Sequence, residues 1–285
     1  MTEKLKVAGI QVAATEDIQH NLERALETAE LAVENGAKII CFPELFTLPW
    51  FPSRIGKEAL DLAETLSGPI ITTARKKAKQ WKVCLIVPIF EDSEKGSYYN
   101  SAVVVNDQGD VEGVYRKMHV PNIPGWEEKS YFAPGNLGFP VFRAMGIPFG
   151  IQICWDNFFP EGARCLALSG AKLIFAPTAN TSSNNDLWQQ AICNNAFVNG
   201  CYTERVNRVG KEGEQAFSGG SFCAAPTGDL LEEPMGEVEG LGLWPIDTQA
   251  VDFVRREWPF MRDRRPRQYL KLAGLKIVRD PKDDS

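Results

Sequence analysis

Short apolar runs alternate along the chain with stripes of apolar residues at helical spacing. Leu5-Lys6-Val7-Ala8-Gly9-Ile10-Gln11-Val12 has the β-branched content and length of a buried strand. After it, Leu22, Ala25, Leu26, Ala29 and Val33 recur at one-, three- and four-residue steps with Glu23, Glu27, Glu30 and Glu34 between them, which predicts an amphipathic helix closed near Gly36. The next strand, residues 38–42, ends at Pro43-Glu44. The alternation continues with a helix over 72–80, a strand over 83–89, and strands over 102–106 and 111–115 joined by an Asn106-Asp107-Gln108-Gly109 hairpin turn. Further on come a strand over 149–153, a helix over 160–169 closed by Gly170, a strand over 172–176 and a helix over 186–199 closed by Gly200. Strands over 201–206, 220–224 and 241–246 complete the pattern, with a Pro226-Thr227-Gly228-Asp229 turn between the last two. Antiparallel pairs mixed with βαβ units imply an α/β architecture in layers, with helices on the outer faces of sheets that pack on each other.

The chain has 285 residues, and 31 Lys+Arg against 37 Asp+Glu leave a net charge of −6. With 44% hydrophobic side chains, disorder, collagen and coiled coil are excluded. No linker, repeat or low-complexity block divides the sequence, so one domain is expected over 1–278, followed by a charged tail at 279–285. No apolar run reaches the roughly 18–20 residues of a membrane span, and the charged start leads straight into a strand, so a cytoplasmic protein is expected. The Arg262–Arg267 neighbourhood is too small a basic cluster for a nucleic-acid face, which leaves a small molecule as the default partner. Seven cysteines without a CxxC pair and only two histidines, His20 and His119, argue against a zinc site and against a disulfide framework. Most of these thiols are expected to be buried small hydrophobes.

Glu44, Lys117 and Cys154 share one placement: each lies at or just beyond the C-terminal end of a strand, where the ligand crevice of α/β sheets is found. Cys154 stands before Trp155-Asp156-Asn157 and a helix started by Pro160, a corner where backbone N–H groups can receive an oxyanion. Glu44 neighbours the aromatic-rich loop Phe46-Thr47-Leu48-Pro49-Trp50-Phe51-Pro52, apolar enough to raise a carboxylate pKa toward neutrality. Position and composition alone also allow an ordinary buried thiol, a loop carboxylate and a solvated Arg116-Lys117 patch. The polar loop Asn180, Ser182, Ser183, Asn184, Asn185 lines a pocket or simply caps a helix, and Asp156 and Glu161 have the same two readings.

Taken together these stretches resemble the nitrilase superfamily of carbon–nitrogen hydrolases. The resemblance rests on Phe42-Pro43-Glu44, Tyr115-Arg116-Lys117-Met118-His119-Val120-Pro121, Ile151-Gln152-Ile153-Cys154-Trp155-Asp156 with Phe159-Pro160-Glu161, and Asn207-Arg208-Val209-Gly210, spread across most of the chain. It implies a four-layer αββα sandwich and a homo-oligomer built from dimers. It also implies Glu44 as general base, Cys154 as nucleophile, and Lys117 as the cation that stabilises the oxyanion beside the Trp155 N–H. A second carboxylate of the family matches Glu128 in Glu127-Glu128-Lys129-Ser130-Tyr131-Phe132. No metal or organic cofactor is called for.

Within the superfamily, Cys154 to Glu161, the Tyr131-Phe132-Ala133-Pro134-Gly135-Asn136 run and Arg262-Asp263-Arg264-Arg265-Pro266 look most like the branch acting on N-carbamoylputrescine. Relatives acting on N-carbamoyl amino acids carry arginines soon after the cysteine, where this chain has Asn157 and Phe158. The branch places an acidic residue after Pro177-Thr178-Ala179 to meet the substrate ammonium; here only Asp186 is available, beside Asn180. The expected ranking is carbamoyl hydrolysis, then neutral ω-amide hydrolysis, then nitrile hydrolysis, with a non-catalytic binding or scaffold role as the alternative of another class.

Overall fold

The computed structural model describes residues 4–181 and 184–274. Its strands form two sheets. The first has the order β13-β1-β2-β3-β4-β5: β1 is Leu5–Gln11, β2 Ala37–Cys41, β3 Cys84–Asp92, β4 Tyr98–Val105, β5 Val111–Arg116 and β13 Gly240–Ile246. The second has the order β12-β9-β8-β7-β6: β6 is Phe142–Ala144, β7 Ile147–Ile151, β8 Leu173–Thr178, β9 Tyr202–Asn207 and β12 Phe222–Ala224. A separate hairpin pairs β10, Val209–Glu212, with β11, Gln215–Ser218.

Helices α1, Ile18–Glu34, and α2, Pro69–Trp81, cover one face of the first sheet, while α3, Pro160–Leu168, and α4, Asn185–Asn199, cover the second. The alternation of side chains along β1 explains the layers: Ala8 and Ile10 pack with Leu22, Ala25 and Ala29 of α1, whereas Val7 packs with Val206 of β9 and Trp244 of β13 between the sheets. At Gly9 the sheets come so close that a Cβ would lie 2.8 Å from Val206 Cγ2 and 2.9 Å from the Glu204 carboxyl. The result is the four-layer αββα sandwich expected from the sequence.

Differences from the sequence-based boundaries have local causes. Strand β7 ends at Ile151 rather than 153, because the Ile153 N–H donates to Asp156 Oδ2 at 3.0 Å and turns the chain out of the ladder. Strand β3 runs on to Asp92, past the apolar run, because buried Glu91 is held by Ser101 and Arg116. Helix α2 starts at Pro69, where a missing N–H costs nothing. Strands β6, β10 and β11 and helix α5, Thr248–Glu257, are absent from the sequence reading. Ser182, Ser183 and the tail at 279–285 lie outside the described residues. Among the described residues no helix is long and apolar enough to cross a membrane, and no three His, Cys, Asp or Glu side chains gather as metal ligands. All seven cysteines are free thiols, five of them buried.

Candidate active site

Glu44 sits on a turn just past β2 and is followed by Leu45 in the left-handed region at φ 49°. Such a conformation costs a bulky residue about 1–3 kcal/mol and needs support from its surroundings. Buried Arg208 supplies it. Its Nη1 donates to Glu44 O (3.3 Å) and Leu45 O (3.1 Å), and its Nη2 to Leu48 O (2.7 Å). Glu212 balances the guanidinium at 2.6 and 2.7 Å from Nη2 and also accepts the Trp50 N–H at 2.7 Å, so one ion pair holds the whole 44–50 turn.

Lys117 follows β5 directly, with its N–H donating to Asn100 O of β4 at 2.9 Å. Its ammonium donates to Glu44 Oε1 at 2.8 Å and to Glu128 Oε1 and Oε2 at 2.9 and 2.7 Å. Asn100 Nδ2 adds a hydrogen bond to Glu44 Oε1 at 2.7 Å. Glu44 Oε2 is left without a hydrogen-bond partner although it is buried. One oxygen of the carboxylate is therefore fixed and the other is free to accept a proton.

Cys154 begins a single 3₁₀ turn, Cys154–Phe158, and itself takes a left-handed φ of 46°. A side chain on a sharp strand-to-helix turn projects from the end of its sheet. The turn is anchored by Asp156, which accepts from Tyr115 OH (2.7 Å), the Ile153 N–H (3.0 Å) and the His119 N–H (2.8 Å) and contacts His119 Nδ1 at 2.8 Å. Tyr115 and His119 flank Lys117, so Asp156 fastens the cysteine turn of one sheet to the lysine segment of the other. Asn157 Nδ2 donates to Gln152 O and Cys154 O at 3.1 and 2.9 Å, closing the turn from the other side.

Burial, and then the negative field of Glu44, raise the Cys154 thiol well above its ordinary pKa, with Lys117 acting in the opposite direction. Burial therefore favours the neutral thiol over the thiolate. Burial opposes the Lys117 ammonium, but Glu128 and Glu44 outweigh it and hold its pKa above the usual lysine value. Glu128 is pushed by burial up to about 7, with Lys117 lowering it and Glu44 raising it. The cluster thus holds an ammonium favoured by two carboxylates, and a buried Glu44 oxygen without a partner.

The structure brings Glu44, Lys117 and Glu128 into direct contact, and Cys154 into their electrostatic field. Asn180 is also near: it follows Ala179, whose carbonyl stands 3.9 Å from Cys154 Sγ. Trp155 is half-buried and edge-on to Phe158. Asp186 is not brought in; it is exposed and lines a surface hollow of about 480 Å³ with Gln189, Gln190 and Asp229. Sequence reasoning missed Asn100 and Trp126, whose Nε1 donates to the same Ala179 carbonyl at 3.2 Å. The only sequence signal for Asn100 is a polar side chain just ahead of the apolar run Ala102–Val105. A cavity of about 1300 Å³ opens beside Trp50, Phe51 and Tyr131.

Comparison with known proteins gives the family. The carbon-nitrogen hydrolase family model matches residues 6–256. An N-carbamoylputrescine amidase of Solanum lycopersicum is 35% identical over 94% of this chain and 95% of its own length. A citrullinase of Francisella tularensis is 32% identical over 94% and 98%. A carbon-nitrogen hydrolase from Helicobacter pylori superposes with a TM-score of 0.90 at 31% identity, covering 95% of this chain and 99% of that one. The chain belongs to the carbon-nitrogen hydrolase family of the nitrilase superfamily and is a hydrolase of carbon–nitrogen bonds other than peptide bonds.

Proposed function

We propose that the chain hydrolyses a terminal carbamoyl (ureido) group through a covalent adduct on Cys154. The observation that carries the mechanism is the split role of Glu44: Oε1 is tied to Lys117 and Asn100 while buried Oε2 has no partner. Oε2 takes the thiol proton as Sγ adds to the ureido carbon, and the developing oxyanion is met by Lys117 and the Trp155 N–H. The C–NH2 bond breaks, and ammonia leaves with the proton returned by Glu44. Glu44 then deprotonates a water that adds to the thiocarbamate; the C–S bond breaks, and the carbamic acid released loses CO2 to give the amine. Glu128 also holds Lys117, with both of its carboxyl oxygens within hydrogen-bond distance of the ammonium.

The ureido reading draws support from the names of two relatives, since N-carbamoylputrescine and citrulline both end in that group. N-carbamoylputrescine heads the ranking made from sequence, but its expected ammonium partner, Asp186, faces the outer hollow. The test is ammonia and CO2 release from N-carbamoylputrescine, N-carbamoyl-β-alanine, an aliphatic amide and an aliphatic nitrile. A ureido compound is expected to turn over fastest, with equal ammonia and CO2. Faster release from the amide or nitrile would replace the ureido reading while leaving the Glu44–Lys117–Cys154 chemistry in place.

A further inference from the structure

Three cationic side chains are buried among the described residues: Lys117, Arg205 and Arg208. Lys117 is paired with Glu44 and Glu128, and Arg208 with Glu212. Arg205 has no carboxylate partner among the described residues, although it is only 1% exposed. Its Nη1 donates to Gly220 O and its Nη2 to Asn185 Oδ1, each at 3.2 Å, while Nε has no acceptor. Its remaining neighbours are the rings of Trp188 and Phe222, 5.2 and 5.9 Å from the guanidinium. A cation removed from water without a counter-charge is unfavourable, and an anion delivered to it would relieve the imbalance.

Two chains of contacts connect these neighbours of Arg205 to Cys154. Asn185 Oδ1 also accepts from Asn180 Nδ2 at 3.2 Å, and Asn180 follows the Ala179 carbonyl that stands against Cys154 Sγ. By the second route Trp188 packs on Phe158 with centroids 4.5 Å apart, and Phe158 on Trp155 at 5.4 Å. Strand β9 lies two places from β7, so Arg205 sits about 10 Å from the strand that delivers Cys154, a distance that a short aliphatic tail can span. Burial brings the guanidinium down to a pKa of about 9, and the one ionisable group that raises it again is Cys154.

We propose that Arg205 is a specificity-determining residue that receives a carboxylate at the far end of the substrate, so that the compound cleaved at Cys154 is a ureido acid rather than a ureido amine. The proposal rests on the ureido-hydrolase reading and deepens it. The same buried charge that holds a carboxylate repels an ammonium tail, and Asn180, Asn184 and Asn185 carry no charge to offset that repulsion.

The test uses three ligands of equal length that differ only in the terminal group: γ-ureidobutyrate, the corresponding alcohol and the corresponding amine, N-carbamoylputrescine. Binding is measured calorimetrically on Cys154→Ala protein, which does not depend on turnover. The acid is expected to bind at least about tenfold more tightly than the alcohol, with the amine weakest, and Arg205→Gln should bring the acid-to-alcohol ratio within about threefold of unity. Arg205→Lys should keep the sign of the preference, so the series remains decisive if the Gln variant does not fold. An alcohol or amine that binds as well as the acid would overturn the proposal, as would a ratio unmoved by Arg205→Gln. Ammonia release by the unaltered enzyme is read separately. None from any of the three would remove the ureido-hydrolase reading, whereas release with the wrong tail preference would remove only the role of Arg205.

Discussion

At the scale of single residues, the site is organised around one ammonium between two carboxylates. Lys117 fixes Glu44 Oε1 and is paired with Glu128, and in the proposed mechanism it meets the developing oxyanion. Lys117→Ala is therefore expected to lower kcat by roughly 10²–10³-fold while KM stays within about threefold, because an oxyanion donor acts mainly in the transition state. Steady-state kinetics on a ureido substrate decide it, and normal turnover would take Lys117 out of the mechanism. Glu44, Lys117, Cys154 and Glu128 were legible in the sequence because each stands in a recognisable local string, three of them just past a strand. Asn100 and Arg205 were not. Each lies inside a strand, and what makes it notable is a partner, or the lack of one, from segments distant in sequence. Asp186 was misplaced for the opposite reason: it is near in sequence to the pocket loop, but the start of α4 turns it outward.

At the scale of elements, Glu44 and Cys154 stand on two strained turns, and each turn is held from a distance. Leu45 and Cys154 both take positive φ, and their supports are Arg208 from the end of β9 and Asp156 reaching to the end of β5. Arg208→Met removes one half of a buried ion pair and leaves Glu212 uncompensated, a loss of about 3–5 kcal/mol. Denaturant unfolding should show that loss, and the Arg208→Met/Glu212→Gln pair should recover part of it. A variant as stable as the parent would mean that the 44–50 turn stands without its clamp. Periodicity disclosed the long helices and buried strands but not β6, β10 or β11, which have only three or four residues and no repeat to read. It also missed α5, which buries only Val251 and Val254 and so has too narrow a stripe.

At the scale of the whole molecule, the sandwich interior contains a buried acid, Glu204, that the mechanism does not use. Glu204 is fully buried between the sheets beside Gly9, and neither carboxyl oxygen has a partner. Burial raises its pKa well above the ordinary value. Because the folded state then binds this proton more tightly than the unfolded chain, its contribution is intact below the unfolded pKa of about 4.3 and is lost as pH rises toward the folded value. Glu204→Gln should therefore gain on the parent from pH 5 to pH 8, by up to about 1.4 kcal/mol per pH unit. Urea unfolding at several pH values checks this, and a pH-independent difference would count against it. The layered architecture was legible because alternating strand and helix patterns have few packing solutions, whereas the interior charges were not, since nothing along the chain marks which face of a strand lies between two sheets. The central claim is that Cys154 carries the substrate through turnover, and the most direct measurement is intact-mass analysis of rapidly quenched enzyme with a ureido substrate. The expected result is an adduct equal to the substrate less ammonia, mapping to Cys154 and absent from a Cys154→Ala variant that releases no ammonia. Undiminished turnover by that variant, or an adduct on another cysteine such as exposed Cys165, would contradict the account.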